Sequence, residues 1–449
     1  MNQIIFHIDV NSAYLSWTSL ALLAKGSDTD LRTIPSIIGG DMEKRHGVVL
    51  AKSIPAKKYG VTTGEPIVNA LRKCPSLVIE PPDHRLYHER SGELMGFLSD
   101  ICPDIEQVSV DECFMDFTPI QRLYPSPVEA ARTIKDRIRD MFGFTVNIGI
   151  SDVKMLAKMA SDFTKPDKVH TLFSSEIRKK MWPLPVSSLF MCGKSSVQTL
   201  HKLEIKTIGD LAMTDKQILA AHLKSHGVLL WEYANGIDAS RVVPLPAQAK
   251  GIGNSTTLSH DVTDRAEALN ILLMLAESVG KRLREAGQLA GMVSVEIKYS
   301  SFRCVSHQTS LSSPTDATQL IYVSSCQLFD ELWNQSPIRL LGIRTSKLVS
   351  CAEPSQISLF DLPVSAPDGS RSLFMADSGQ KASVPSPPRQ KLEALDKTLD
   401  HIRSKYGKDA VVRGSLLKDS SSDRVGGYPL VEQPTSHTTV RTVRYTAVQ

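Results

Sequence analysis

The chain has 449 residues, 41% of them hydrophobic, which suits two to four folded domains. Its formal net charge of +4 at pH 7 is mildly basic, so a nucleic-acid partner is permitted but not required. The seven cysteines are scattered without a CxxC pair, so neither a disulfide framework nor a zinc site is expected. No apolar run approaches the roughly 20 residues that span a membrane, so a membrane helix is not expected either. The N-terminus has no basic start typical of a signal peptide, and we expect a cytoplasmic protein.

The first part of the chain predicts an α+β domain. An apolar strand over 4–10 is followed by a helix over 14–24, and the Gly-, Pro- and Lys-rich segment 39–82 predicts a small subdomain of short elements. The later elements are a hairpin over 105–117, a helix over 128–142, a strand over 145–150 and a helix from about Asp152 to Pro166. This order suits a sheet with helices packed on one face.

The second part predicts a helical segment and then another α+β module. Residues 173–240 read as helical, with a turn around Gly193, and the two prolines of 241–250 indicate a linker. The module over 251–348 has predicted strands at 293–299, 302–311 and 338–348, and helices near 264–287 and 317–335. Residues 363–390 are rich in Ser and Pro, which favours a mostly disordered tail over 363–449 with a short helix at 391–406.

Three acidic residues fall where strands end or turn. Asp9 ends the first strand, and Asp111 and Glu112 lie at the middle of the hairpin. Phosphoryl transfer needs hard cations between negatively charged oxygens, and carboxylates are the ligands that Mg²⁺ prefers. Spacing alone leaves open that these residues are turn or surface acids.

Three segments make the pattern specific. HIDVNSAY at 7–14, SVDECFMDF at 109–117 and GISDVKMLAKMASDFTKP at 149–166 resemble the palm motifs of Y-family translesion DNA polymerases, in particular the bacterial polymerase IV branch. The likeness runs in order from residue 4 to residue 350. It implies a low-fidelity, template-directed DNA polymerase that binds primer–template DNA and deoxynucleoside triphosphates.

The resemblance also implies a right-hand α+β fold. Its parts would be a palm (1–18 and 80–172), fingers (19–79), a helical thumb (173–240), a linker (241–250), an α+β little finger (251–348), and a clamp-binding peptide (351–362) before the tail. Two Mg²⁺ ions would be held by Asp9, Asp111, Glu112 and the backbone carbonyl of Val10, with the three acids catalytic. The protein would be a monomer.

The same resemblance assigns residues around the nucleotide. Tyr14 stands where the family has a steric gate against the ribose 2′-OH, although an aromatic residue here could also simply face the core. Lys165 and Lys57 would bind the triphosphate. At the positions of Ile54 and Lys57 many relatives have tyrosine and arginine, and lysine keeps the charge but loses the bidentate fork.

Helical spacing places Lys154, Lys158 and Lys165 on one side of a predicted helix, opposite an apolar stripe. Such a stripe is often a solvated face. We therefore expect Lys154 and Lys158 at the surface or near DNA, and only Lys165 at the phosphates.

DNA contacts are predicted in the thumb and the little finger. Residues 187–212 resemble a helix–hairpin–helix, in which Gly193 and Lys194 would bind a backbone phosphate, although Met191 stands where the first hairpin glycine is usual. Basic residues alternate with apolar ones in the little-finger strands and could track the DNA backbone or merely coat a solvated face; they are Lys298, Arg303, Arg339, Arg344 and Lys347.

A short peptide after the last predicted strand suggests a protein partner. It resembles the QLxLF motif by which bacterial polymerases bind the sliding clamp, and it comprises Gln356, Ile357, Ser358, Leu359 and Phe360. Five residues can match by chance, but the position behind a polymerase favours the clamp.

Three other functions remain open. A polymerase V-like mutasome subunit would need protein partners to extend a primer. A non-catalytic DNA- and clamp-binding factor is disfavoured by the intact acidic triad, and a palm-fold nucleotide cyclase by the predicted helix–hairpin–helix and clamp motif.

Overall fold

The structure is a computed structural model that describes residues 3–40, 47–244, 249–352, 389–407 and 409–414. These residues form two compact units, divided within the segment 241–250. The first unit holds the described residues before this division, and the second holds those after it. None of the described helices is long and apolar enough to cross a bilayer.

The first unit begins with an α+β region. Its elements in chain order are β1 (Ile5–Val10), α1 (Ala13–Ala24), β2 (Ser36–Gly39), β3 (Val49–Lys52), α2 (Ile54–Lys58), α3 (Ile67–Lys73), β4 (Val78–Glu80), α4 (His84–Ile101), β5 (Ile105–Gln107), β6 (Glu112–Asp116), α5 (Pro127–Phe142), β7 (Val146–Ser151), α6 (Lys154–Ser161) and β8 (Val169–Thr171). The predicted strand, hairpin and helices of this region are confirmed, except that α6 ends at Ser161, before Lys165.

A five-stranded sheet of order β5-β6-β1-β7-β8 lies at the centre of this region. The first strand, β1, pairs antiparallel with both β6 and β7, so the N-terminal segment is central to the sheet. A second sheet, of order β3-β2-β4, combines β2, which lies just before the segment 39–82 predicted to form short elements, with β3 and β4 from inside that segment. It has a small apolar core of its own.

The two faces of the five-stranded sheet differ in what covers them. Phe6, Ile8 and Val10 of β1 belong to the main core, which α1, α4 and α5 complete. The alternate residues Ile5, His7 and Asp9 point to the opposite face because side chains alternate along a strand. There Ile5 packs with Ala157 of α6. The expectation of helices on one face was therefore wrong, since α6 folds back from β7 over the second face.

Close packing of β7 against α6 depends on Gly149. A Cβ at this position would lie 2.0 Å from the Ala157 carbonyl oxygen and 2.4 Å from the Ser161 amide nitrogen. Both are backbone atoms and cannot rotate away. The missing side chain is therefore what lets α6 approach the sheet.

The rest of the first unit is helical, as predicted for 173–240. Its helices are α7 (Ile177–Lys180), α8 (Lys194–Lys202), α9 (Ile208–Met213) and α10 (Lys216–Ala234), with short 3₁₀ turns at Ser174–Glu176 and Val186–Ser188. Their apolar residues form one core together with Met155, Leu156, Met159 and Ala160 of α6. Thus α6 lies between the sheet and the helical segment and packs against both.

The second unit is an α+β module around a four-stranded antiparallel sheet of order β11-β10-β12-β9. Its elements are β9 (Gly251–Val262), α11 (Arg265–Glu285), β10 (Gln288–Tyr299), β11 (Cys304–Thr315), α12 (Thr318–Leu332), β12 (Ile338–Ser350) and α13 (Arg389–Tyr406). Strand β9 was not predicted, because its sequence GIGNSTTLSHDV is polar and glycine-rich. The apolar side chains of the sheet pack against α11 and α12.

The predicted helix near the C-terminus is present as α13 and is held on this module by ion pairs. Asp396, which is buried, accepts a hydrogen bond from the Thr318 amide at 2.8 Å and so caps the start of α12 from another helix. Arg284 of α11 lies 2.6 Å from Asp400 and 3.4 Å from Asp396. Described residues of the tail are therefore part of the folded module.

Candidate active site

Strand pairing brings two of the predicted catalytic acids together. Asp9 on β1 is the cross-strand neighbour of Glu112 on β6, and the Val10 amide donates to the Asp111 carbonyl at 2.9 Å. Directly paired residues of antiparallel strands point to the same face. The carboxylates of Asp9 and Glu112 therefore share the face that α6 covers, and the turn before β6 places Asp111 beside them.

Ser109 shapes the turn that carries Asp111. Its hydroxyl donates to Asp111 Oδ1 at 2.6 Å and accepts from the Glu112 amide at 3.2 Å. Burial raises the pKa of the Asp111 carboxyl; the hydrogen bond from Ser109 opposes this, and the neighbouring Asp9 and Glu112 carboxylates raise the pKa further. A nearby cation would relieve this repulsion.

Lys158 was expected at the surface or near DNA, and the surface position is wrong. Its side chain is largely buried, and its Nζ lies 2.5 Å from Glu112 Oε2. Lys154 is likewise turned inward, 2.7 Å from Glu106 Oε2. Helical spacing shows which residues share a face, but it does not reveal carboxylates supplied by a distant strand, so both lysines looked like solvated charges.

His7 belongs to the site and was missed by sequence reasoning. It is fully buried, its Nδ1 lies 2.8 Å from the Ser161 hydroxyl, and its Nε2 lies 3.3 Å from Glu112 Oε2. Burial would raise the pKa of the Glu112 carboxyl, but the contact with His7 and the Lys158 ammonium outweigh burial and lower that pKa to about 2. The sequence did contain one sign of this role: His7 stands two residues before Asp9, and side chains two apart on a strand point to the same face.

Lys165 approaches the acids from the loop after α6. Its ammonium contacts the Asp9 carboxylate and lies 2.9 Å from Asp162. Burial would lower the pKa of the Lys165 ammonium, but the Asp9 carboxylate raises it. The three predicted acids and Lys165 are therefore brought together, although Lys165 does not lie on the helix that the lysine spacing predicted.

The carboxylates fit a hard divalent cation by their chemistry. They are oxygen donors, they crowd one another, and lysine ammonium groups already lie against Asp9 and Glu112. Among the described residues, no three acidic, histidine or cysteine side chains are grouped as a ready metal site. Metal binding would thus have to draw the carboxylates away from their lysine partners.

Tyr14 lies in the first turn of α1, which follows the strand that carries Asp9, and it packs against a second aromatic ring. It stacks on Tyr87 of α4 with ring centroids 4.2 Å apart and planes 8° from parallel. The Tyr87 hydroxyl is held 2.8 Å from Thr18 Oγ1, and its ring is buried. Sequence reasoning missed Tyr87, which offered no motif of its own.

The other predicted nucleotide residues lie in the small three-stranded region. Lys57 is exposed on α2, and Ile54 at the start of the same helix is half exposed. Burial lowers the pKa of the Lys52 ammonium, and the nearby charge of Lys57 lowers it further. This region therefore presents positive charge at α2.

The predicted DNA-binding residues are distributed over both units. Gly193 precedes α8 and Lys194 is its first residue, while Met191 adopts a left-handed conformation with φ +68° where a glycine was expected.

In the second unit, Arg344 is paired with Ser294 across the sheet and is exposed on the face opposite α11 and α12. The remaining basic residues of this set are Lys298, partly exposed; Arg303 and Lys347, both exposed; and Arg339, stacked on Phe302. The peptide 356–360 lies outside the described residues.

Comparisons with known proteins identify the family and the fold. Residues 8–162 match the model of the impB/mucB/samB family, and residues 249–359 match the model of that family's C-terminal domain. The chain is 47% identical to DNA polymerase IV of Clostridium acetobutylicum, covering 93% of this chain and 99% of the relative. It is 34% identical to DNA polymerase IV 1 of Bacillus subtilis, covering 95% and 96%. A solved Y-family DNA polymerase chimera shares the fold, with a TM-score of 0.66, 19% identity, and coverage of 77% of this chain and 99% of that one.

Proposed function

The chain belongs to the impB/mucB/samB family of Y-family DNA polymerases, and from that premise we propose how its site works. It is a DNA-directed DNA polymerase of the translesion type, and its substrates are DNA and deoxynucleoside triphosphates. Primer extension joins the 3′ end to an incoming nucleotide and releases pyrophosphate. One observation carries the site assignment: Asp9 and Glu112 are cross-strand neighbours on one sheet face, with Asp111 beside them.

Two Mg²⁺ ions, when bound, would supply positive charge that offsets the negative charge on the attacking and leaving oxygens. Asp9, Asp111, Glu112 and the Val10 carbonyl are the groups of this chain that would hold them. The contact with His7 and the Lys158 ammonium lower the pKa of the Glu112 carboxyl to about 2, so it is ionised at neutral pH, and a metal ion would have to displace Lys158 to bind it. Lys165 would exchange its contact with Asp9 for a phosphate of the nucleotide.

Tyr14 is proposed to select deoxyribose over ribose in the incoming nucleotide. Its ring is stacked on the buried ring of Tyr87 and cannot easily swing aside. A ribose 2′-OH placed against this ring would clash with it, whereas a deoxyribose would not. The exposed ammonium of Lys57 on α2 is proposed as a second phosphate contact.

The DNA backbone would be bound by surfaces of both units that lie outside the acidic site. In the first unit, the start of α8 presents backbone N–H groups and Lys194 to a phosphate. In the second, Lys298, Arg303, Arg339 and Arg344 are proposed to follow the DNA backbone. The polymerase is proposed to act as a cytoplasmic monomer that docks on a sliding clamp through Gln356, Ile357, Ser358, Leu359 and Phe360.

The test is extension of a labelled primer on undamaged and lesion-bearing templates by the purified chain alone. Asp111→Asn should abolish extension while primer–template affinity stays near that of the wild type, because the acids hold metal and other surfaces hold the duplex. Asp100→Asn, an exposed acid at the end of α4, is the matched control and should extend normally. Near-normal extension by Asp111→Asn would refute the site, and a requirement for added protein subunits would favour a mutasome.

A further inference from the structure

The loop that carries Lys165 is held by two amide side chains, in addition to a backbone hydrogen bond from the Ile148 amide of β7 to the Lys168 carbonyl at the end of the loop. This segment, residues 162–168, joins α6 to β8 and is called the lysine loop here. Two asparagines reach it from the sheet. Asn147 is fully buried on β7, and Asn11, 9% exposed, follows β1 two residues after Asp9.

Asn147 uses its whole hydrogen-bonding capacity. Its Nδ2 donates to the Ser161 carbonyl at 3.0 Å and to the Thr164 carbonyl at 2.7 Å. Its Oδ1 accepts from the Lys168 amide at 3.2 Å and from Asn11 Nδ2 at 3.2 Å. An amide has two donors and two acceptor sites, and all four are satisfied here. One side chain thus fixes the loop on both sides of Lys165.

Asn11 adds a third attachment. Its Oδ1 accepts from the Asp167 amide at 2.8 Å and from Thr145 Oγ1 at 3.0 Å. Asp167 has φ +58°, a left-handed conformation that a non-glycine residue needs support to hold. The strand that carries Asp9 is therefore linked by this amide to the loop that carries Lys165.

A separate contact holds the side chain of Asp167. Lys135 and Arg139 of α5 lie 2.8 Å and 3.2 Å from its carboxylate oxygens. The Arg139 side chain is 41% exposed, so its ion pair contributes little, whereas the Lys135 side chain is only 10% exposed and restrains Asp167 more strongly. Both contacts act on the end of the loop after Lys165 only, whereas the buried amides bond the loop on both sides of Lys165.

We propose that Asn11 and Asn147 are positioning residues for nucleotide binding: they hold Lys165 at the distance from the acids at which its ammonium meets the triphosphate. The inference rests on the phosphate role proposed for Lys165. Removing a buried amide leaves backbone N–H and C=O groups unpaired, and the loop must shift to find other partners. A shift of about 1 Å in a positioned group can cost up to about a hundredfold in rate.

The experiment measures equilibrium nucleotide binding by the full-length protein on a primer–template that ends in a dideoxynucleotide. Asn147→Ala should raise the nucleotide Kd on the order of tenfold, within the range known for misplaced groups, and leave primer–template affinity unchanged. Hydrogen exchange at the Asp167 and Lys168 amides should become faster. If Asn147→Ala does not fold, Asn11→Ala gives the same readouts with a smaller perturbation.

Ser151→Ala is the matched control. Ser151 is also fully buried on β7, but its hydroxyl donates to the Leu172 carbonyl, away from the lysine loop. This variant should lose stability without a change in nucleotide affinity. An equal rise in nucleotide Kd for Ser151→Ala would reduce the asparagine effect to general destabilisation and overturn the proposal.

Dependence on Lys165 separates the possible failures. Lys165→Ala should itself weaken nucleotide binding, and adding Asn147→Ala to it should weaken binding no further. An unchanged Kd in Lys165→Ala would sink the phosphate role and the inference together. A normal Lys165 effect with no effect of Asn147→Ala, or an Asn147→Ala effect of equal size in both backgrounds, would overturn only the positioning role.

Discussion

Replacing Gly149 by alanine tests the packing that brings α6 to the active face. The new Cβ would lie 2.0 Å from the Ala157 oxygen, whereas an ordinary C···O contact is about 3.3–3.6 Å. The overlap exceeds about 1 Å and involves backbone on both sides, so β7 and α6 must separate. Overpacking typically destabilises by about 1–3 kcal/mol, and rigid backbone places this case at the upper end.

Two measurements follow from that separation. At about 2–4 °C per kcal/mol for a unit of this size, a loss near 3 kcal/mol should lower the melting temperature of the first unit by about 6–12 °C. Lys158 moves with α6, so primer extension should also slow, by up to about a hundredfold for a 1 Å displacement. Calorimetry of the full-length protein and single-turnover extension would report the two effects.

Gly92→Ala is the control for this experiment. Gly92 lies inside α4 with nothing within 4 Å of an added Cβ, so alanine should stabilise by about 0.5–1 kcal/mol and leave extension unchanged. The packing argument would be refuted by a Gly149→Ala protein that melts and extends primers like the wild type.

Three further outcomes are expected. Tyr14→Ala should admit ribonucleotides, measured as the ratio of ribo- to deoxynucleotide incorporation, while Tyr14→Phe should still reject them; equal rejection by Tyr14→Ala would place the gate elsewhere. Replacing Leu359 and Phe360 together with alanine should leave unaided extension intact but remove stimulation by a loaded clamp, since burying each side chain is worth roughly 1.5–3 kcal/mol; persisting stimulation would mark the motif as a chance match. Asp396→Ala should destabilise the second unit by about 3 kcal/mol or more in denaturant unfolding, because Arg284 loses a buried ion-pair partner and the start of α12 loses its cap. Thr398→Ala, at an exposed position of the same helix, should change the free energy of unfolding little.

Local pattern was enough to predict most elements of the fold. Local sequence predicted α1, α5, α11 and α12, and β-branched and aromatic enrichment predicted the hairpin that carries Asp111 and Glu112. It failed at β9, where polar side chains face outward and the strand is held by pairing with β12, a partner nearly a hundred residues later. Pairing between segments so far apart cannot be read from the sequence of either segment alone.

The candidate site was predictable only where a motif named the residue. Asp9, Asp111, Glu112 and Tyr14 were proposed from family motifs, and the structure brings the three acids together. The contact between Lys158 and Glu112 was not predicted, because Glu112 comes from a distant strand. His7, Tyr87 and Asn147 act through burial and side-chain contacts, which depend on packing between distant segments and so escape sequence reading.

The central place of β1 also dictates when the site can form. Its partners β6 and β7 lie more than a hundred residues downstream, so β1 leaves the ribosome long before either of them. At synthesis rates of about 5–20 residues per second, it waits on the order of ten seconds or more with both edges unpaired. An apolar strand exposed for that time can pair with other chains. Yield of active protein should therefore respond to translation speed and chaperone supply more strongly than the stability of the finished fold would suggest.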